Sequence, residues 1–82
     1  MNEGRIKLAE AYSVIALTKH IMNINNCMEA VAFGKLLGSE LYKLLTDEET
    51  GLYLEKNEYI CDCYDAECIS KSKLYDMIST QI

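Results

Sequence analysis

The chain has 82 residues, 50% apolar and 26% charged, with six Tyr, one Phe, no Trp, no Pro and a net charge of −5. This is ordinary globular composition, and it excludes disordered, collagen-like, Pro-rich and flexible-linker chains. One small domain, 1–82, is expected, and a core of that size usually gains help from disulfides, a metal or self-association.

The first predicted helix covers about 4–24. Leu8, Ala11, Tyr12, Ile15 and Met22 share one broad face. Ile6, Val14, Leu17, Ile21 and Ile24 form a second stripe, the last four at heptad-like spacing. A helix apolar over so much of its circumference is no simple surface helix. A chain this short hardly covers both stripes, so Val14, Leu17, Ile21 and Ile24 are expected to face another copy, most simply in a two-fold dimer.

The run Asn23-Ile24-Asn25-Asn26 breaks the helix, because Asn tolerates turn and left-handed conformations. Asn26 and Glu29 have the spacing of a capping box, and a second helix is predicted over about 27–45. Val31, Phe33, Leu37, Leu41, Leu44 and Leu45 line its apolar side, opposite Glu29, Lys35, Ser39, Glu40 and Lys43. Ala30, Gly34 and Gly38 recur every four residues, which predicts a close approach to the first helix. The two helices together make an antiparallel hairpin.

Thr46-Asp47-Glu48-Glu49 reads as a second capping box opening a short acidic turn, which Gly51 interrupts. From Leu52 onward the period is ambiguous. Leu52, Tyr59, Ile60 and Cys63 fit one helical face, but Leu52-Tyr53-Leu54 and Tyr59-Ile60-Cys61 around Lys56-Asn57 favour an acidic β-hairpin over about 52–63. A C-terminal helix over about 66–80 follows, capped by Asp65 or Ser70, with Leu74, Met77 and Ile78 facing the core. The expected fold class is therefore α+β, mainly helical.

The longest uncharged runs, such as 11–18, fall short of the ~20 residues a membrane span needs. The charged opening Asn2-Glu3-Gly4-Arg5 has no apolar signal-peptide core behind it. A soluble cytoplasmic protein with reduced thiols and no membrane insertion is expected. Cys61, Cys63 and Cys68 form a C-x-C-x4-C run without paired C-x2-C knuckles, so buried structural thiols and no cofactor are favoured. A small zinc module using these three with Cys27 or His20 is the alternative. His20 has no recognisable nucleophile partner, and Asp62, Asp65 and Glu67 lack the spacing of a calcium loop, so no enzyme is predicted.

Charge is concentrated. Residues 47–68 hold Asp47, Glu48, Glu49, Glu55, Glu58, Asp62, Asp65 and Glu67 against Lys56 alone, a net −7. Nothing supplies a phosphate-neutralising face, which argues against direct nucleic-acid binding. Tyrosine interleaved with carboxylate is interface chemistry. Tyr53, Tyr59 and Tyr64 with Glu55, Glu58 and Asp62 are thus the candidate docking surface for a protein with a basic surface. The functional expectation is a non-enzymatic regulatory interaction module. A charge-mimic inhibitor of a nucleic-acid-binding protein is a further alternative, and the frequent Ile, Lys, Asn and Tyr suit an AT-rich viral or mobile-element genome.

Overall fold

The computed structural model describes residues 2–79, and side chains for residues 4–79. Five α-helices follow one another: α1 (Asn2–Asn25), α2 (Glu29–Leu37), α3 (Glu40–Leu45), α4 (Asn57–Ile69) and α5 (Lys71–Ser79). Two 3-10 turns, Glu48–Thr50 and Leu52–Leu54, join α3 to α4. Of the described residues 86% are helical and none lies in a strand, so the fold is all-α rather than α+β.

Helix α1 stops where the asparagine run predicts. Asn26 adopts φ 49°, and the Cys27 N–H donates to the Met22 carbonyl at 3.2 Å, closing the helix end in a Schellman-type turn. The predicted Asn26–Glu29 box is not formed. Helix α2 begins at Glu29 behind Met28, which offers no side-chain cap. Nor do residues 27–45 make one helix. Gly38 ends α2, and Ser39 swings to extended backbone and opens α3, its Oγ accepting from the Tyr42 N–H at 3.1 Å. The expected close approach at Gly34 is also absent, since nothing lies within 4 Å of where its Cβ would stand.

The β-hairpin over 52–63 is replaced by a 3-10 turn and most of α4. Asp47 caps the first turn through the Glu49 N–H at 3.1 Å, and Gly51 takes the left-handed φ of 68°. The Thr50 hydroxyl then accepts from the Leu52 N–H at 3.2 Å, curling the Leu-Tyr-Leu segment instead of extending it. From Asn57, helical spacing buries Ile60, Cys63 and Tyr64 together. The physical reason is hydrogen bonding. A two-stranded hairpin leaves its outer edges unpaired and is marginal in water, whereas a helix satisfies its backbone within one segment. Residues 66–69 of the predicted last helix belong to α4. Ser70 caps α5, its Oγ accepting from the Lys73 N–H at 3.2 Å, and Thr80 lies outside the described residues.

All five helices feed one core: Leu17 and Ile21 from α1, Ala32 and Leu36 from α2, Leu41 and Leu45 from α3, Ile60, Cys63 and Tyr64 from α4, and Leu74 from α5, with Leu52 between them. Each enclosed Leu or Ile contributes roughly 1.5–3 kcal/mol. Helices α1 and α2 run antiparallel, as do α4 and α5, where the Tyr59 hydroxyl donates to the Met77 carbonyl at 3.0 Å. Two polar ties hold α1 alongside α4. The Ser13 hydroxyl donates to Asn57 Oδ1 at 3.1 Å, and His20 Nε2 meets Asp65 Oδ1 at 2.7 Å. The molecule measures 36 × 28 × 19 Å, so its thin dimension holds only two layers of ~10 Å helices.

Candidate functional site

Two layers leave each helix one covered side. On α1 the covered side carries Ser13, Leu17 and Ile21, with Val14 half-buried at its margin. The predicted self-association stripe therefore lies largely inside the monomer. Leu17 and Ile21 are fully enclosed, and of the four residues only Ile24 is exposed. The opposite side of α1 carries the other apolar face, and it is bare. Leu8, Tyr12 and Ile15 are 55%, 59% and 52% exposed, in a row at i, i+4 and i+7.

This row borders an open groove of about 350 Å³ between α1 and α2. Val14, Ile15 and Thr18 form one wall, and Ala30 and the 42%-exposed Phe33 form the other. Lys19 and Glu29 complete the lining, one on each helix. Helical spacing groups Leu8, Tyr12 and Ile15 on one face, as the sequence predicts, but it is this face and not the Leu17 stripe that lies bare. Sequence reasoning missed the groove because Phe33 sat in the arc assigned to the helix-2 core.

The candidate docking surface in the acidic half divides on folding. Glu55 is exposed ahead of α4, and Glu58 and Asp62 stand on the outer face of α4, while Asp65 turns to His20 of α1. The tyrosines do not join them. Tyr64 is buried, Tyr59 spends its hydroxyl on the Met77 carbonyl, and Tyr53 lines a separate shallow groove with Arg5, Ile6, Ala9 and Leu54. Burial pushes the Tyr59 and Tyr64 phenols up to about 12, as expected for rings held against the core.

Helix geometry also separates the thiols. Cys61 and Cys63, two residues apart on α4, point to nearly opposite sides, with Cys63 buried and Cys61 half-buried. Burial raises both thiols above the usual range, which leaves them poorly ionised at neutral pH. Cys68 is exposed, and the Cys27 sulfur lies 4.0 Å from the Ile21 carbonyl. His20 faces Asp65 instead of a thiol. Among the described residues no three His, Cys, Asp or Glu side chains stand where they could hold one metal ion.

A second polar cluster organises the far side. Glu67 of α4 accepts from the backbone N–H groups of Glu40 and Leu41, both at 2.8 Å, and so caps α3 from another helix. The Tyr75 hydroxyl of α5 donates to the Glu40 carboxylate, and Lys71 Nζ lies 4.0 Å from it. The Tyr75 hydrogen bond holds the Glu40 carboxyl below the ordinary range. The arrangement locks α3, α4 and α5 together, and its groups are consumed by structure.

No helix among the described residues is long and apolar enough to cross a membrane. No family model, curated protein or solved structure matches the chain.

Proposed function

We propose that this chain is a small, non-enzymatic, cytosolic interaction module that self-associates through α1 and presents an acidic helix to a second, basic protein. The observation that carries the reading is the bare apolar row Leu8, Tyr12 and Ile15, which lies on the side of α1 opposite Leu17. Large apolar side chains clustered on one surface mark a contact site more often than scattered ones do. Self-association thus falls on α1 as the sequence suggests, but on its Leu8 side and not on its Leu17 side. The outer α4 carboxylates Glu58 and Asp62 supply steering charge toward a basic partner but no aromatic anchor, so they set encounter rate more than affinity.

The zinc-module alternative loses its motive, since Cys61 and Cys63 point to nearly opposite sides of α4 and no three His, Cys, Asp or Glu side chains among the described residues stand where they could hold one metal ion. Sedimentation velocity over a micromolar dilution series tests the main reading. The wild type is expected to associate, and Ile15→Glu to dissociate it with its helicity unchanged. A wild type that stays monomeric throughout would sink the proposal.

A further inference from the structure

We infer that the α1/α2 groove is filled by a second copy of this chain across a two-fold axis, with Lys19 of each copy paired to Glu29 of the other. The inference deepens the self-association reading and rests on it.

The charges on the groove point to a like partner. Lys19 and Glu29 line one apolar groove, on different helices, and are not ion-paired with each other; the ion pairs among the described residues are His20–Asp65 and Lys71–Glu40. A two-fold interface joins the same patch on both copies, so the patch must complement itself. A groove with one cation and one anion meets that condition, because the axis brings each Lys19 to the other copy's Glu29. A strongly basic or acidic partner has no such match, since the two groove charges cancel.

The area is sufficient. Leu8, Tyr12, Ile15 and Phe33 are 42–59% exposed, and Met28, beside Glu29, is 78% exposed. Aromatic side chains bury about 150–250 Å² each when fully enclosed and Leu, Ile and Met somewhat less, so at these exposures the five leave roughly 400–600 Å² uncovered. That is more than half of the ~800 Å² each partner gives to a standard interface, the rest being polar rim. Lys19 and Glu29 both lie near the α1–α2 turn. An axis there runs the two α1 helices antiparallel and sets Met28 of one copy toward Tyr12 and Leu8 of the other.

Charge exchange tests the pairing. Lys19→Glu alone puts two anions together twice per dimer, and Glu29→Lys does the same with cations. Each is expected to raise the dimer dissociation constant about tenfold or more. Mixing the two variants should restore a heterodimer of near wild-type affinity, because both contacts are then Glu–Lys. The double variant Lys19→Glu/Glu29→Lys should also recover. Both side chains are exposed, and circular dichroism of each variant checks that the fold is intact. Recovery in the mixture and in the double variant supports the two-fold pairing. A wild-type dimer indifferent to both charges, or one whose loss mixing does not repair, overturns the pairing while self-association stands. A monomeric wild type overturns both.

Discussion

Ile15 and Leu17 are two residues apart on α1, and one is 52% exposed while the other is fully enclosed. A two-residue step turns a helix by about 200°, so the pair marks the outer and inner faces of the same helix. Truncating them should separate association from stability. Leu17→Ala is expected to cost about 2–5 kcal/mol of unfolding free energy, the usual loss for an enclosed leucine. Ile15→Ala should stay within about 0.5 kcal/mol for the monomer. Urea unfolding at a concentration below dimer formation reads both values, and equal losses would mean that the faces of α1 are misassigned.

The glycines give a test of opposite signs. Gly34 lies within α2, and a Cβ there meets nothing, so Gly34→Ala should stabilise the fold by about 0.5–1 kcal/mol. Gly51 also faces open space but has φ 68°, so Gly51→Ala should destabilise it by roughly 1–2 kcal/mol through backbone strain alone. Thermal melts of the two variants shifting in the same direction would contradict a helical Gly34 or a left-handed Gly51.

Glu67 ties α4 to the N-terminus of α3 through two backbone hydrogen bonds. Removing the carboxylate leaves the N–H groups of Glu40 and Leu41 without this acceptor. Glu67→Ala is expected to cost about 1–2 kcal/mol, in the range of lost helix caps. Glu67→Gln should lose less, since its amide oxygen still serves one N–H. Hydrogen exchange should then quicken at Glu40 and Leu41 before the rest of the core.

Alkaline pH should destabilise the protein over a defined window. The Tyr59 and Tyr64 phenols rise from 10.0 to about 12 on folding, chiefly by burial, and the Cys61 and Cys63 thiols rise from 9.0 for the same reason. The folded state thus holds these protons more tightly than the unfolded chain. Its stability is undiminished below the unfolded values and falls as pH climbs through about 9 for the thiols and from 10 to about 12 for the phenols. Urea midpoints from pH 7 to 11 should show this decline. Tyr59→Phe should flatten it, while costing about 0.5–1.5 kcal/mol at neutral pH for the hydrogen bond to Met77. A midpoint constant to pH 11 would contradict the burial of both phenols.

Much of this fold is written locally. Helix α1, its two apolar stripes, its end at Asn26, the break at Gly51 and the Ser70 cap all follow from side chains acting on their own or adjacent backbone, and such signals survive in a linear reading. What lay between 52 and 63 did not, because β-favouring residues with helix-compatible spacing are decided by which conformation finds neighbours. Ile60, Cys63 and Tyr64 found the α1 and α5 surfaces as a helix. The same applies to the candidate site. Periodicity shows that α1 has two apolar faces but carries no information on which is covered. Tertiary packing decides that, by bringing Asn57 to Ser13 and Asp65 to His20 and so burying the Leu17 side and leaving Leu8, Tyr12 and Ile15 in water.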